Sequence, residues 1–272
     1  MYHSSQAEPV SAPRRVVYTC LFGFSEQFND FDYEPGDGVD YVCFTDDPDL
    51  RSERWEIRLT GAELLDTARA AKRIKALPHR FLPDYDWSLY VDNTVRLKRS
   101  PRELFDRYLA PAESPLVCFK HPWRDCVYDE AEAVIELEFD DPARVRHQME
   151  FYRRLGYPPN AGLAKGAFML RRHHDPALVP VMERWHQQVL CHSKRDQLSL
   201  NPVAWFDGFE IGYLEEAFLD FGLAEWPVVK NGVRLPRDFD EARYRALNPD
   251  VNVPNCRKHY LLHGAAEQRA YK

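Results

Sequence analysis

Apolar residues in the first part of the chain come in short continuous runs that end on turn-forming residues. Residues 16–22 (VVYTCLF) stop at Gly23, residues 41–45 (YVCFT) at Asp46-Asp47-Pro48, and residues 87–91 (WSLYV) at Asp92-Asn93-Thr94. Short runs rich in β-branched and aromatic residues, bounded by turn residues, are the pattern of buried strands. Residues 115–119 and 167–170 predict two further short strands. Elsewhere the apolar spacing turns helical. Residues 62–77 read as a basic helix carrying Arg69, Lys72, Arg73 and Lys75, with His79 and Arg80 just beyond. Ser100-Pro101-Arg102-Glu103 combines an N-cap, a proline at the first helical position and a capping-box glutamate. Asp141-Pro142 opens a helix with Val145, Met149, Tyr152 and Leu155 in step and Gly156 to end it. Asp175-Pro176 opens another, with Leu178, Met182, Trp185 and Val189 on one face. Stretches such as 23–40 and 125–140 read as loops. Strands alternating with helices predict an α/β fold built on a mixed, mostly parallel sheet flanked by helices.

Three segments follow from this pattern. Residues 1–14 are polar and proline-containing and read as a disordered lead-in, residues 15–237 as one α/β domain, and residues 238–272 as a short helical C-terminal appendage. With 272 residues the chain is long enough for a substantial core. The net charge of −7 argues against nucleic acid as a partner but leaves room for a local cationic pocket. The six cysteines form no C-x-x-C pair, and Cys20, Cys43 and Cys118 lie inside apolar runs, so buried free thiols and a reducing cytoplasm are expected. Residues 1–15 lack the apolar stretch of a signal peptide, and no run reaches the roughly 20 apolar residues needed to span a bilayer. Any membrane association would then be peripheral, at the inner face.

In open α/β sheets, ligands bind beyond the carboxyl ends of the strands. The acidic turns Asp46-Asp47 and Asp92-Asn93-Thr94, and the polar residues after Leu170, are expected at such ends. Strand-end aspartates suit ribose hydroxyls or a divalent cation, although each can equally make an Asx-turn. Asp92 is the candidate ligand for Mn²⁺ or Mg²⁺, and Thr94 stands where a second carboxylate would strengthen the site. The basic helix suits a diphosphate, or else a solvated face. Lys120-His121-Pro122-Trp123-Arg124-Asp125, followed by Tyr128-Asp129-Glu130, packs an imidazole, an indole, a guanidinium and carboxylates around one proline. Ser193-Lys194-Arg195-Asp196-Gln197 reads either as a capping box or as a functional segment. His259 and His263, four apart, have zinc-site spacing without a third ligand nearby. No nucleophile elbow, P-loop or dinucleotide glycine fingerprint is present.

Taken in order, Val17-Tyr18-Thr19, Phe44-Thr45-Asp46-Asp47, Lys75-x-x-x-His79, Tyr90-Val91-Asp92-Asn93, Lys120-His121-Pro122, Gly162-Leu163, Met169-Leu170-Arg171 and Arg195-Asp196-Gln197 resemble one family. It is the glycosyltransferase-like domain long filed as a domain of unknown function, shared by bacterial polysaccharide-synthesis proteins and plant mucilage-related hexosyltransferase-like proteins. The resemblance covers roughly residues 15–215. The tail resembles a short element appended to bacterial glycosyltransferases, with Gln268 where a glycine is usual.

The resemblance implies a GT-A-like fold and transfer of a sugar from a nucleotide-sugar donor, a UDP-sugar first, to a glycan or lipid-linked glycan acceptor. Synthesis of a bacterial capsule, O-antigen or similar surface polysaccharide would be the setting. By position, Asp46 and Asp47 would serve the nucleoside, Arg69, Lys72 and Lys75 the diphosphate, and Asp92 the ribose or a metal, with Thr19, Asn93 and Thr94 among the donor-binding residues. Lys120, His121, Arg124 and Arg195 complete the donor site. If the anomeric centre inverts, Asp196 is the first candidate base and Glu130 the second; if it is retained, Gln197 lies near the reacting face. A non-catalytic glycan- or nucleotide-sugar-binding scaffold and a glycolipid-type hydrolase are the alternatives.

Overall fold

The computed structural model describes residues 12–23, 26–30, 38–61, 65–219, 222–230, 232–236, 238–253 and 255–272. Most of the 1–14 lead-in and the first residues of the predicted basic helix thus lie outside the described residues. Eleven strands are described, β1 Arg15–Leu21, β2 Val39–Thr45, β3 Glu56–Leu59, β4 Trp87–Val91, β5 Arg96–Leu97, β6 Leu116–Lys120, β7 Ala164–Arg172, β8 Gly212–Tyr213, β9 Ala224–Glu225, β10 Val229–Lys230 and β11 Val233–Arg234. The main sheet runs β3-β2-β1-β4-β7-β6-β8. Its pairs are parallel except β4–β7 and β6–β7, so β7 is the one reversed strand. The expected mixed, mostly parallel α/β sheet is therefore present. The 167–170 run is only the middle of the nine-residue β7.

Strand alternation divides the core between the two faces of the sheet. Val16, Tyr18 and Cys20 of β1 face a layer formed by α1 Thr67–Ala76, α2 Pro78–Phe81 and α6 Leu178–Cys191, where Ile74, Leu77, Leu82, Met182 and Trp185 are buried. Val17 and Leu21 face the opposite layer, with Leu104 at the end of α3 Pro101–Leu104 and Phe105 and Leu109 of the π-helical turn Phe105–Leu109. The same apolar cluster takes in Phe239, Tyr244, Cys256, Tyr260 and Leu261 from the tail. Its elements are α8 Glu241–Leu247, α9 Cys256–His259 and the π-turn Tyr260–Gly264. A third cluster joins α4 Val127–Glu136 and α5 Pro142–Arg154 through Val127, Val134, Val145, Met149 and Tyr152, and includes Leu198.

Local chemistry sets the element ends. Asp66 caps α1 by accepting from the Arg69 N–H at 2.9 Å, and α1 stops at Leu77, ahead of Pro78. Asp141 caps α5 in the same way through Arg144 N–H, and Gly156 takes the left-handed conformation (φ +82°) just past it. Four expectations need correction. The 125–140 stretch is not a loop: Val127, Ala131 and Val134 recur at helical spacing and α4 buries them. Leu155 is the exposed end of α5 rather than part of its buried stripe. The helix after Pro176 begins only at Leu178, because Asp175 first accepts from Ala177 N–H in a turn. Ser193 makes no capping box with Asp196; its hydroxyl donates to Asp140 at 2.6 Å and accepts from Arg195 N–H. A 3₁₀ turn, Asp196–Leu198, begins at Asp196 and leads to α7 Leu200–Phe206. All six cysteines are free, five of them buried.

Trp185 joins core and sheet edge: it is fully buried, and its indole N–H donates to the Asp196 carbonyl at 2.9 Å. Trp185→Phe removes that donor and leaves a small void, while the Asp196 carbonyl keeps the Ser199 N–H and hydroxyl at 3.2 and 3.1 Å. The substitution should cost about 2–3 kcal/mol in urea denaturation, whereas the α1 surface change Arg73→Lys should stay within about 0.5 kcal/mol.

Candidate active site

The C-terminal ends of β1, β2 and β4 lie at one edge of the sheet, and the reversed β7 begins there. The link is direct, since Asp92 N–H just past β4 donates to Ala167 O of β7 at 2.9 Å. The residues after Leu170 are consequently at the opposite edge, against the expectation from the sequence, and Lys165 and Gly166 occupy this one instead. Between Cys118 and Phe119 the β6–β7 register jumps from Met169 to Lys165. The bulged stretch brings Gly166 against the end of α1, so a Cβ there would sit 3.0 Å from Lys75 Nζ and 3.5 Å from Asp196 Oδ2.

Lys75, almost fully buried, is the hub. Its Nζ lies 2.5 Å from Asp196 Oδ2 and 3.7 Å from Asp92 Oδ1, and 4.8 Å from the centroid of the Tyr90 ring. Lys72, one helical turn earlier on α1, reaches Asp196 Oδ1 at 3.6 Å. Tyr90 donates its hydroxyl to Asp92 Oδ1 at 2.8 Å. Burial alone would push the Asp196 pKa up, but Lys72 and then Lys75 outweigh it and hold the carboxyl far below the usual range. Asp92 is lowered for the same reason, burial being outweighed by Lys75 and then Lys72. Burial works against the Lys72 ammonium, but Asp196 and then Asp92 raise its pKa. Burial also lowers Lys165 to about 8, only partly offset by Asp92. The Lys165 ammonium stands 4.3 Å from the centroid of the Trp226 ring.

These groups line a continuous cleft. One part, about 300 Å³, is bounded by Cys20, Phe22, Thr67, Tyr90 and Asn93. The other, about 240 Å³, is bounded by Lys75, His121, Glu130, Lys165, Asp196 and Gln197. Glu26, Lys72, Asp92, Thr94 and Arg195 border both. Asn93 fixes the near wall, its side chain accepting from Asn29 N–H at 2.8 Å and donating to Gln27 O and Glu26 Oε2. The inner part carries seven basic side chains (Lys72, Lys75, Arg124, Lys165, Arg195, Lys230, Lys258) against four acidic ones (Glu26, Asp92, Glu130, Asp196). It is thus a cationic pocket in an acidic chain. Gln197 Nε2 and Arg195 Nε are buried here without a hydrogen-bond acceptor.

The turn after β6 forms the far wall. His121 N–H donates to Leu163 O at 2.7 Å, Arg124 N–H donates to His121 Nδ1 at 3.1 Å, and Arg124 Nε donates to the buried Glu130 at 2.6 Å. Burial, with Lys165 and Arg124 nearby, lowers the His121 pKa to about 3. The ring is therefore neutral, with its proton on Nε2, which faces Glu130 Oε2 at 3.7 Å.

The cleft thus unites Lys72, Lys75, Asp92, Asn93, Thr94, His121, Arg124, Glu130, Arg195, Asp196 and Gln197. It does not take in five expected residues. Thr19 alternates onto the opposite face of β1. Asp46 accepts from Gly23 N–H and Asp47 from Asp49 N–H, each serving a turn. Arg69 donates to Val189 O and His192 O and pairs with Asp66, closing the end of α6. Lys120 points past the wall, over Tyr213. The sequence reading does not single out Glu26, Lys165, Gly166, Trp226, Lys230 and Lys258; only Lys165, a cation at the start of β7 just ahead of its apolar run, offers a local signal. His79 pairs with Glu183 of α6, and His259 Nδ1 with the Tyr244 hydroxyl; among the described residues, no three His, Cys, Asp or Glu are placed to hold a metal ion.

The Lys75–Asp196 pair makes a pH-dependent contribution to stability. Because the folded-state pKa of Asp196 is depressed, that contribution is complete above the unfolded value near ~3.9 and fades as pH falls below it. Lys75→Met should cost about 3–5 kcal/mol at pH 7 by leaving a buried carboxylate short of a cation. Denaturation at pH 7 and again near pH 3 should show the gap between wild type and variant narrowing in acid.

A family model described as TOD1/MUCI70, glycosyltransferase-like domain, matches residues 51–206. Among curated proteins, the probable hexosyltransferase MUCI70 of Arabidopsis thaliana is 27% identical over 167 residues, which cover 57% of this chain and 28% of that protein. The chain thus spans little more than a quarter of that relative's length. Among solved structures, the apo structure of the WbbM bifunctional glycosyltransferase aligns over 76% of this chain and 40% of its own with a TM-score of 0.45 and 10% identity. The matched stretch runs from ahead of β3 to the end of α7 and embraces most of the cleft, more than half of the 272 residues. The chain belongs to the TOD1/MUCI70 glycosyltransferase-like domain family.

Proposed function

We propose that this chain is a glycosyltransferase that takes a sugar from a nucleoside-diphosphate donor, UDP-sugar first, and passes it to a glycan hydroxyl. The observation that carries the reading is the set of seven basic side chains gathered over four acidic ones at the strand ends of a family glycosyltransferase-like domain. A diphosphate supplies the negative charge that such a pocket lacks. The nucleoside lies in the outer part against Phe22, Tyr90, Glu26 and Asn93, and the diphosphate lies inward against Lys72, Lys165 and Arg195. Gln197, with its unpaired buried amide, donates to a sugar hydroxyl. Surface-polysaccharide synthesis at the inner face of a membrane is the setting we assign to it.

The acceptor oxygen bonds to the anomeric carbon as the carbon–oxygen bond to phosphate breaks, its electron pair leaving on the diphosphate. The hydroxyl proton needs a destination. Asp196 is held ionised by two lysines and is a weak proton acceptor, and Glu130 is committed to Arg124. The departing phosphate, with a second pKa near ~6, is the stronger base. Asp196 instead holds Lys72 and Lys75 in place and accepts a hydrogen bond from the incoming hydroxyl. A resident Mn²⁺ or Mg²⁺ fits poorly. Asp92 already accepts from Tyr90 and faces Lys75, and the neighbouring Thr94 offers only a hydroxyl, so ammonium groups stand where a metal would neutralise the diphosphate.

Incubation with UDP-, GDP- and dTDP-sugars and mixed glycan acceptors should yield acceptor-dependent release of one nucleoside diphosphate. Gly166→Ala should lower that rate at least tenfold with the fold kept, because the new methyl displaces the Lys75 ammonium. Equal release with and without acceptor would favour the hydrolase reading, and nucleotide binding without turnover the scaffold. A second expectation concerns pH. Lys165 is cationic below about 8 and neutral above it, so titration calorimetry should show nucleoside-diphosphate affinity falling between pH 7 and 9.5. In Lys165→Met the affinity should be weak throughout and lose most of that slope.

A further inference from the structure

Beside the cleft lies a second open cavity of about 560 Å³, lined by Lys120, His121, Trp123, Arg124, Asp125, Asn160, Gly162, Leu163 and Tyr213. His121, Trp123 and Arg124 border both spaces, so the β6 turn is a shared wall. That turn is rigid: His121 N–H is bound to Leu163 O, Arg124 N–H to His121, and the Arg124 guanidinium to the buried Glu130. Trp123 rides on this scaffold with 48% of its surface exposed. It meets His121 edge-on at 5.6 Å and lies 6.2 Å from Trp226 on the cleft side. A large indole held open to water beside a polar cavity is unusual for a packing residue and suits a platform that one face of a ligand covers.

We propose that Trp123 and the cavity behind it form the acceptor subsite, taking a pyranose unit of a glycan whose next hydroxyl reaches Asp196 and Gln197. The inference rests on the transferase reading above and adds which side of the cleft the acceptor enters. The chemistry of the lining fits a sugar. The indole meets the C–H face of the ring, and the side chains of Asp125 and Asn160 and the cation of Lys120 offer acceptors and donors to its hydroxyls. Donor and acceptor then approach from opposite sides of the His121–Arg124 wall. A diphosphate prefers the other side, where most of the basic groups stand.

The test separates the two sites in one protein. Wild type, Trp123→Ala and Asn160→Ala are compared by calorimetry with UDP, GDP and dTDP, and by retention of labelled neutral and acidic oligosaccharides on a glycan array. Nucleotide affinity should be unchanged in both variants. Array binding should fall at least tenfold in Trp123→Ala and several-fold in Asn160→Ala, and Trp123→Phe should recover part of it. Wild-type binding to no glycan, or equal glycan binding in Trp123→Ala, would overturn the subsite even where a nucleotide binds normally. Loss of nucleotide affinity in Trp123→Ala would place the indole in the donor site and overturn it as well. Absence of nucleotide binding in the wild type would count instead against the transferase reading.

Discussion

The buried ammonium of Lys75 is the group around which this molecule is arranged. Taking a lysine out of water costs several kcal/mol unless anions and well-placed acceptors receive it. Here Asp196 and Asp92 receive the charge, and the rings of Tyr90 and Trp185 flank it. The backbone of the same residue is gripped from beneath, its carbonyl accepting from the Tyr18 hydroxyl at 2.9 Å and from the buried Arg171 guanidinium at 2.7 Å. Strand β1, strand β4, the reversed β7, helices α1 and α6 and the 3₁₀ turn therefore all meet at one residue. A shift of any of them disturbs the same ion pair, which couples the core of the sheet to the geometry of the cleft.

The cleft's charge follows from that arrangement. Two aspartates are not enough to neutralise the basic groups brought in by α1, β7, the segment before Asp196, β10 and α9. In a chain of net charge −7, the surplus of basic side chains in this concavity, with its low-dielectric walls, is the setting that suits the compact anion proposed above. Burial depresses Lys165 to about 8, with Asp92 offsetting it only in part, so an anion bound beside it would favour its charged form.

Much of this was readable in the chain, and the limits have physical causes. The strand at 87–91 matches β4 residue for residue, because a strand buried on both faces reads as a nearly continuous apolar run, here interrupted only by the small Ser88. The basic helix was evident as a charge run, but only helical phase sorts its members: Lys72 and Lys75 turn inward, while Arg69 closes the end of α6 and Arg73 covers Phe81. A period of two carries no strand direction, so the reversal of β7 was invisible, and with it the arrival of Lys165 and Gly166 at the site. Lys230 of β10 and Lys258 of α9 come from segments near the end of the chain whose local sequence gives no sign of a site; packing of Val229 and of the tail into one apolar cluster with the sheet brings them there. Gln268, which the resemblance of the tail sets where a glycine is usual, adopts a left-handed backbone (φ +54°), the conformation for which glycine is the natural choice.

The central claim, that protein cations rather than a resident metal receive a nucleoside diphosphate, is tested most directly by thermal shift in EDTA. UDP, GDP and dTDP would be compared with their monophosphates and then again with added Mn²⁺. A ligand at ~100 times its Kd adds ~2.7 kcal/mol, a readily visible rise in Tm. The account predicts that one diphosphate stabilises the protein in EDTA, that its monophosphate does so much less, and that Mn²⁺ changes neither. No shift with any diphosphate, or a shift seen only with Mn²⁺, would contradict it.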